Sequence, residues 1–222
     1  MYRLFTFLPQ NDTVKISYNY STWHAQGQTR TSPDNQFSYV NIPKNASSEF
    51  KFIFNDWKKS NYNVDAPPDN KYIVILRDPT ERWISGITEF LIGKNSYPGQ
   101  SNKELSIDEI ATAIESPFVQ NLISNFVIFD EHTLPQCYFL QNLNMSDVAF
   151  FYQDQQVVNR VTDYVGLHAQ ITNANNTMAN EKKIIISTTI KKMILKNNSL
   201  QKIIDTHYYC DHKLFDKVSF IY

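Results

Sequence analysis

Two short apolar runs, each followed by a helical pattern, dominate the first half of the chain. Residues 37–42 (FSYVNI) and 71–76 (KYIVIL) are nearly continuous apolar runs, which is typical of strands buried in a parallel sheet. Apolar residues then recur at helical spacing over 47–60 and over 78–93. This order predicts an α/β fold in three layers, with a central, mainly parallel sheet flanked by helices.

Further elements are predicted on both sides of this core. Residues 14–23 alternate apolar and polar side chains, which indicates a half-buried strand, whereas 27–36 are rich in turn-forming residues and predict a loop. Residues 147–153 predict a third strand. Helical patterns occupy 105–116, 118–126, 181–196 and 199–218.

Length and net charge limit the classes of protein that the chain can belong to. With 222 residues, 42% of them hydrophobic, it can build one sizeable core. We therefore expect a single domain over 1–222, with an α/β core at 37–222 and an uncharacterised segment at 1–36. A formal net charge of −1 provides no basic field for a nucleic acid, so any anion site must be local.

Cysteine content and apolar run length bear on the compartment. The chain has two cysteines, Cys137 and Cys210, far apart in sequence, which predicts free thiols in a reducing compartment rather than a disulfide framework. No apolar run reaches the length of a membrane span. The first residues form a poor signal peptide, because their apolar run is short and interrupted. We expect a cytoplasmic protein.

The junction between the first apolar run and its helix carries candidate chemistry. Pro43 and Lys44 are followed by the small polar residues 45–48 (NASS), at the point where a strand turns into a helix. Free N–H groups at a helix start, two hydroxyls and a lysine suit a phosphate or sulfate group. The alternative interpretation is that Ser47 caps the helix and Lys44 is a solvated loop residue. A Walker A sequence is absent, which disfavours an ordinary P-loop kinase.

The second apolar run ends in a similar way. Arg77 follows it directly, and Ser85 lies farther along the predicted helix, which Asp78 is placed to cap. Ligands of open α/β sheets bind at the carboxyl ends of strands, so Lys44 and Arg77 are predicted at the same sheet edge. Arg82 is either a second cation of this site or a charge on the helix surface, and the sequence favours the surface charge.

Both junctions resemble motifs of one enzyme family. The stretch IPKNASSEF is similar to the 5′-phosphosulfate loop of PAPS-dependent sulfotransferases, and ILRDPTERWISG is similar to their 3′-phosphate motif. The likeness is strongest to the carbohydrate branch, which includes the heparan and chondroitin enzymes, and it implies a P-loop-like fold. Fainter similarities occur at 130–140 and at 206–218. Ala46 stands where glycine is commoner, and Glu49 where a small residue or hydroxyl is usual.

The resemblance implies transfer of a sulfuryl group from PAPS to a hydroxyl or amine of a carbohydrate or small-molecule acceptor, with PAP as the product and no metal. It implies that Arg77 and Ser85 bind the 3′-phosphate. Lys44 would both bind the phosphosulfate and stabilise the leaving oxygen. The residues expected to bind the phosphosulfate are Lys44, Asn45, Ala46, Ser47, Ser48 and Glu49.

The acceptor also needs a general base, and several residues are open for this role. His132 is the first choice because an imidazole titrates near neutral pH, although a structural histidine fits the pattern equally. Glu49, Asp56 and Asp65 are the reserves. Two other functions stay open, a P-loop-like nucleotide kinase or phosphotransferase and a non-catalytic nucleotide-binding relative. The sequence does not predict the acceptor's identity or the oligomeric state.

Overall fold

A computed structural model describes residues 3–4, 17–18, 28–61, 70–93, 112, 132–140, 143–167 and 181–222. Within these ranges there are seven strands, which are β1 Arg3–Leu4, β2 Ser17–Tyr18, β3 Gln28–Thr31, β4 Phe37–Asn41, β5 Lys58–Asn61, β6 Lys71–Leu76 and β7 Val148–Tyr152. The same ranges contain six α-helices, which are α1 Ser47–Ile53, α2 Pro79–Gly93, α3 Val157–Tyr164, α4 Glu181–Lys196, α5 Asn198–His207 and α6 Tyr209–Lys217. Two 3₁₀-helices occupy Gln136–Leu140 and Met145–Asp147.

Five strands form one sheet in the order β5-β3-β4-β6-β7. Strands β4, β6 and β7 lie next to one another and run parallel. Val40 of β4 pairs with Val74 of β6, and Ile75 of β6 pairs with Phe151 of β7. At the other edge β3 runs antiparallel to both β4 and β5. The α/β class and a parallel sheet centre are thus confirmed, while the sheet as a whole is mixed.

Apolar side chains cover both faces of this sheet, as alternation along a buried strand requires. Residues on one face pack with helices α1 and α3, and this core includes Tyr39, Phe50, Phe54, Ile73, Phe151 and Val161. Residues on the other face pack with the segment before β7 and with α6, and this core includes Val40, Val74, Leu134, Phe139, Phe150 and Leu214. The sheet therefore lies between two covering layers, as predicted.

Two predictions about local structure are wrong. The expected loop at 27–36 contains strand β3, whose Thr29 and Thr31 hydroxyls bond across the sheet to Ser60 at 2.7 Å and Ser38 at 2.9 Å. The helix predicted at 47–60 ends at Ile53, and the chain continues as β5. Both strands are polar, so they lack the apolar alternation by which a strand is predicted from sequence. The lysines of the edge strand β5 also oppose edge-to-edge aggregation.

Other predicted elements are confirmed. Strands at 71–76 and 148–152 and helices at 79–93 and 181–196 match the sequence patterns closely, and 199–218 forms α5 and α6. The expected strand at 14–23 contains β2, which pairs with β1. The helices predicted at 105–116 and 118–126 lie outside the described residues, apart from the helical Thr112.

Candidate functional site

The turn after β4 departs from ordinary backbone geometry. Lys44 and Ala46 have φ angles of 70° and 55°, in the left-handed region that favours glycine. Ala46 is the N-cap of α1 and no side chain caps this helix, so the interpretation of Ser47 as the cap is wrong. Strained positions of this kind cluster at functional sites in proteins.

Some of the backbone donors predicted for the anion are already used. The N–H of Asn45 donates to Ile42 at 3.2 Å, and that of Glu49 donates to Ala46 at 3.1 Å. Within the described residues, the N–H groups of Ala46, Ser47 and Ser48 donate no hydrogen bond. The donor set of this turn is therefore smaller than the sequence predicts. It has three N–H groups at a helix of only seven residues, with the Ser47 and Ser48 hydroxyls beside them.

Asn45 is buried beneath the turn and does not face an open site. Its Nδ2 donates to the carbonyl of Ile75 at 2.7 Å and to Oε1 of Gln136 at 2.6 Å. These two bonds tie the turn after β4 to the last residues of β6. Asn45 therefore positions the turn, and the sequence motif does not distinguish this task from direct ligand binding.

Arg77 at the end of β6 joins the two strand ends. Its Nη1 donates to the carbonyl of Lys44 at 3.2 Å, so the prediction that both residues lie at one sheet edge is confirmed. Burial lowers the pKa of Arg77, but a guanidinium stays protonated under all physiological conditions. One of its five N–H donors is engaged with Lys44, and no other side-chain bond to a described residue uses the rest.

Lys44 itself has a partner that the sequence does not reveal. Its Nζ lies 3.0 Å from Oε2 of Glu89 on α2, and Nζ of Lys183 on α4 lies 3.2 Å from the same oxygen. Burial by itself would raise the pKa of Glu89, but hydrogen bonds and charge from the two lysines outweigh it and lower that pKa. Glu89 is therefore an ionised carboxylate that neutralises part of the positive charge of the site.

One face of α2 supplies several of these contacts. Arg82, Ser85 and Glu89 follow one another by three and four positions, so they lie on the same side of the helix. Arg82 is fully buried, and its Nε donates to the carbonyl of Pro43 at 3.0 Å. The interpretation of Arg82 as a surface charge is therefore wrong, because it supports the turn from beneath. Ser85 is half-buried one helical turn from Glu89.

The predicted base His132 lies in a segment that packs against the same helix. A Cβ added to Gly86 would meet the carbonyl oxygen of His132 at 2.5 Å and a methyl group of Thr133 at 2.8 Å. Only glycine allows this approach, which places the segment of His132 against Gly86, the residue after Ser85 in α2. Its role as a base stays a prediction. Of the reserves, Glu49 is half-buried at the start of α1, Asp56 is exposed, and Asp65 lies outside the described residues.

Gln136 holds the end of β6 in place through hydrogen bonds to the backbone of Arg77. The sequence alone does not indicate this role. Oε1 of Gln136 accepts from the backbone N–H of Arg77 and its Nε2 donates to the Arg77 carbonyl, both at 2.9 Å. Buried Asp211 on α6 accepts in turn from the N–H groups of Gln136 and Cys137, both at 2.8 Å. The two segments of faint family similarity thus meet here, and Tyr208 donates to the carbonyl of Thr133 beside them.

Comparison with known proteins adds no further information about this site. No protein-family model, no curated protein and no solved structure matches the chain. None of the helices that the structure describes is both long and apolar enough to cross a lipid bilayer.

Proposed function

We propose that this chain is a PAPS-dependent sulfotransferase with a P-loop-like fold, acting on a carbohydrate or a similarly hydroxylated acceptor. One observation carries the proposal. The guanidinium of Arg77 reaches the carbonyl of Lys44 across the carboxyl ends of two parallel strands. Two cationic side chains at adjacent strand ends match a donor that carries a phosphosulfate at one end and a 3′-phosphate at the other.

The residues at the two strand ends have separate roles in the proposed reaction. The sulfuryl group leaves the bridging oxygen of the phosphosulfate and bonds to the acceptor oxygen, while PAP departs and the acceptor loses its proton. Lys44 stabilises the charge that develops on the bridging oxygen. The free N–H groups and hydroxyls of Ser47 and Ser48 orient the phosphosulfate. Arg77 and Ser85 bind the 3′-phosphate, with the planar fork of arginine suited to a phosphate.

Glu89 has two roles in the proposed reaction. Without nucleotide it is the counter-ion of Lys44, at 3.0 Å, so the incoming phosphosulfate must displace it. Lys183 also contacts this carboxylate and holds it when Lys44 turns to the nucleotide. Once released by Lys44, the carboxylate is a second candidate beside His132 to receive the acceptor's proton.

Nucleotide selectivity tests the donor assignment directly. Thermal-shift and calorimetric titrations compare PAP, which is 3′-phosphoadenosine 5′-phosphate, with ADP and ATP. We expect PAP to bind at least tenfold more tightly than ADP, because only PAP offers Arg77 a 3′-phosphate. Equal affinity for ADP contradicts the donor assignment, and magnesium-dependent turnover of ATP favours the kinase alternative instead.

A conservative substitution locates the 3′-phosphate contact. Arg77→Lys keeps the charge but removes the fork, so the preference for PAP over ADP should fall about tenfold. Arg160→Lys is the matched control, because Arg160 also donates to a carbonyl at a strand end, that of Tyr152 at 2.9 Å. The same loss of selectivity in both variants would remove Arg77 from the site.

The identity of the base is tested with two further substitutions. His132→Asn and Glu89→Gln are compared by the pH dependence of sulfate transfer from PAPS to an oligosaccharide acceptor. If His132 is the base, its variant loses the acidic limb of the pH profile of transfer, and the Glu89 variant retains it. PAP binding without transfer to any acceptor would identify a non-catalytic relative.

A further inference from the structure

Three potential metal ligands meet beside the Gln136 turn, outside the proposed nucleotide site. The Sγ atoms of Cys137 and Cys210 and a carboxylate oxygen of Asp211 all lie within 4.8 Å of one another. Cys137 belongs to the 3₁₀-helix that starts at Gln136, and the other two residues belong to α6. We call these three residues the dithiol–carboxylate cluster. Both thiols are free and half-buried, so a small ion can reach them.

The buried carboxylate of this cluster has no charged partner among the described residues. Asp211 is fully buried, and its described partners are the N–H groups of Gln136 and Cys137, the side-chain amide of Gln136, and the Cys210 thiol at 3.9 Å. No lysine or arginine among the described residues forms an ion pair with it. A buried carboxylate is costly unless a positive charge or enough hydrogen bonds compensate it. Oδ2 accepts both N–H bonds from Gln136, whereas Oδ1 accepts one N–H, that of Cys137, and keeps a lone pair for a metal once the Cys210 thiol is deprotonated.

The ligand types specify which cation fits. Thiolate sulfur is a soft ligand that selects Zn²⁺ and related ions over Mg²⁺ or Ca²⁺. Two sulfurs and one carboxylate oxygen supply three positions of a tetrahedron, and the half-buried face leaves the fourth for water. Ligand atoms around tetrahedral zinc lie about 3–4 Å apart, which is compatible with separations of no more than 4.8 Å in this cluster.

We propose that Cys137, Cys210 and Asp211 bind one thiophilic divalent cation, Zn²⁺ being the best fit. The ion would join the Gln136 turn to α6, and Gln136 in turn holds the backbone of Arg77. Its role is therefore to hold the end of β6 in place through Gln136. This site does not depend on the sulfotransferase assignment, because none of its three ligands is among the residues proposed to bind the nucleotide.

Cobalt substitution tests the site in the full-length, tag-free chain, purified under a phosphine reductant and stripped of metal. Titration with Co²⁺ should give one equivalent bound, with a thiolate-to-cobalt charge-transfer band that Zn²⁺ then abolishes. The chain contains no cysteine besides these two, so such a band can come only from them. Elemental analysis after incubation with Zn²⁺ and dialysis should give one zinc per chain.

Variants decide whether the three residues act together. Cys137→Ser and Cys210→Ser should each weaken Zn²⁺ binding at least tenfold, and Asp211→Asn is expected to do so wherever the variant folds. His212→Asn and Asp205→Asn are matched controls, because this pair lies 3.8 Å apart on the neighbouring helical surface and should leave the band unchanged. Absence of the charge-transfer band, unchanged zinc affinity in both cysteine variants, or exclusive formation of a Cys137–Cys210 disulfide would each overturn the proposal.

Discussion

The turns after β4 and β6 meet at one edge of the sheet but are built in opposite ways. After β6, Gln136 bonds to both backbone groups of Arg77, and Asp78 caps α2 through the N–H of Glu81 at 2.9 Å. After β4, two non-glycine residues occupy the left-handed region, and no side chain caps α1. The turn after β6 is thus held by bonds to both backbone groups of Arg77 and by a side-chain cap, whereas the turn after β4 keeps unbonded N–H groups and strain.

This difference assigns separate tasks to the two turns. A turn that several side-chain bonds hold in place can position a side chain such as Arg77 accurately. A turn with unsatisfied donors lowers stability unless a ligand or water completes it, so it is the place where an anion gains most. We therefore expect substitutions after β4 to affect ligand binding and catalysis, and substitutions that loosen the β6 end to affect folding.

The largest expected effect is on catalysis, from the turn after β4. Lys44→Ala removes the cation that we propose stabilises the leaving oxygen, and we expect sulfate transfer to fall by about 10²–10³-fold, as for loss of one charge-stabilising donor. The measurement is the initial rate with labelled PAPS. Lys183→Ala is the control, because it contacts the same carboxylate from α4 without contacting the turn, and its rate should change by less than about tenfold. Equal losses in both variants would show that Lys44 has no special role.

The next effect is on folding and comes from the β6 end. Gln136→Ala leaves the part-buried N–H and carbonyl of Arg77 without the Gln136 partner, so the free energy of unfolding should fall by about 1–3 kcal/mol. Denaturant unfolding measures the change. Gln153→Ala is the matched control at the end of β7, because the side-chain oxygen of Gln153 has no partner among the described residues. A similar loss in both would mean that the bonds of Gln136 contribute little.

A smaller effect is expected where Glu89 restrains Lys44. Glu89→Gln removes a negative charge next to the proposed phosphosulfate, so PAP and PAPS should bind a few-fold more tightly. The gain is small because the Lys44–Glu89 ion pair is partly exposed, and such pairs contribute about 0–1 kcal/mol. Calorimetry measures this gain. Unchanged or weaker binding would contradict the role of Glu89 as a competing counter-ion.

The same variant predicts a pH dependence of stability. The pKa of Glu89 is lowered in the folded chain, so its ion pairs stabilise the fold above the ordinary value of 4.5. That contribution disappears as the pH falls through the lowered pKa. The stability difference between the parent chain and Glu89→Gln should therefore be largest at pH 6–7 and shrink as the pH falls below 4.5. A difference that does not shrink on acidification would show that it does not arise from this carboxylate.

The sequence predicted the parts of the structure that depend on local pattern. Strand β6 and helix α2 follow from apolar periodicity, and the shared edge of Lys44 and Arg77 follows from the rule that parallel strands end together. Strands β3 and β5 were missed because their stability depends on hydroxyl pairs and neighbouring strands, and these leave no apolar alternation in the sequence.

The contacts that complete the site could not be predicted, because they join residues far apart in the chain. Glu89 lies 45 positions from Lys44, and Gln136 lies 59 positions from Arg77. Whether Arg82 is exposed or buried likewise depends on the carbonyls of Pro43 and Leu134, which reach it only in the folded chain. Sequence motifs identify the groups that face a ligand more readily than those that hold them in place.

The smallest expected effect concerns the strain at Ala46. A non-glycine residue in the left-handed region costs about 1–2 kcal/mol, and the greater unfolded freedom of glycine offsets about 0.4–1 kcal/mol of this. Ala46→Gly should therefore raise the free energy of unfolding by about 0.5–1 kcal/mol, measured by denaturant unfolding. Asn35→Gly is the control, because Asn35 has a similar φ of 58° in the turn between β3 and β4, and asparagine tolerates that region better. An equal gain at both positions, or a loss at Ala46, would show that the turn after β4 is not the more strained of the two.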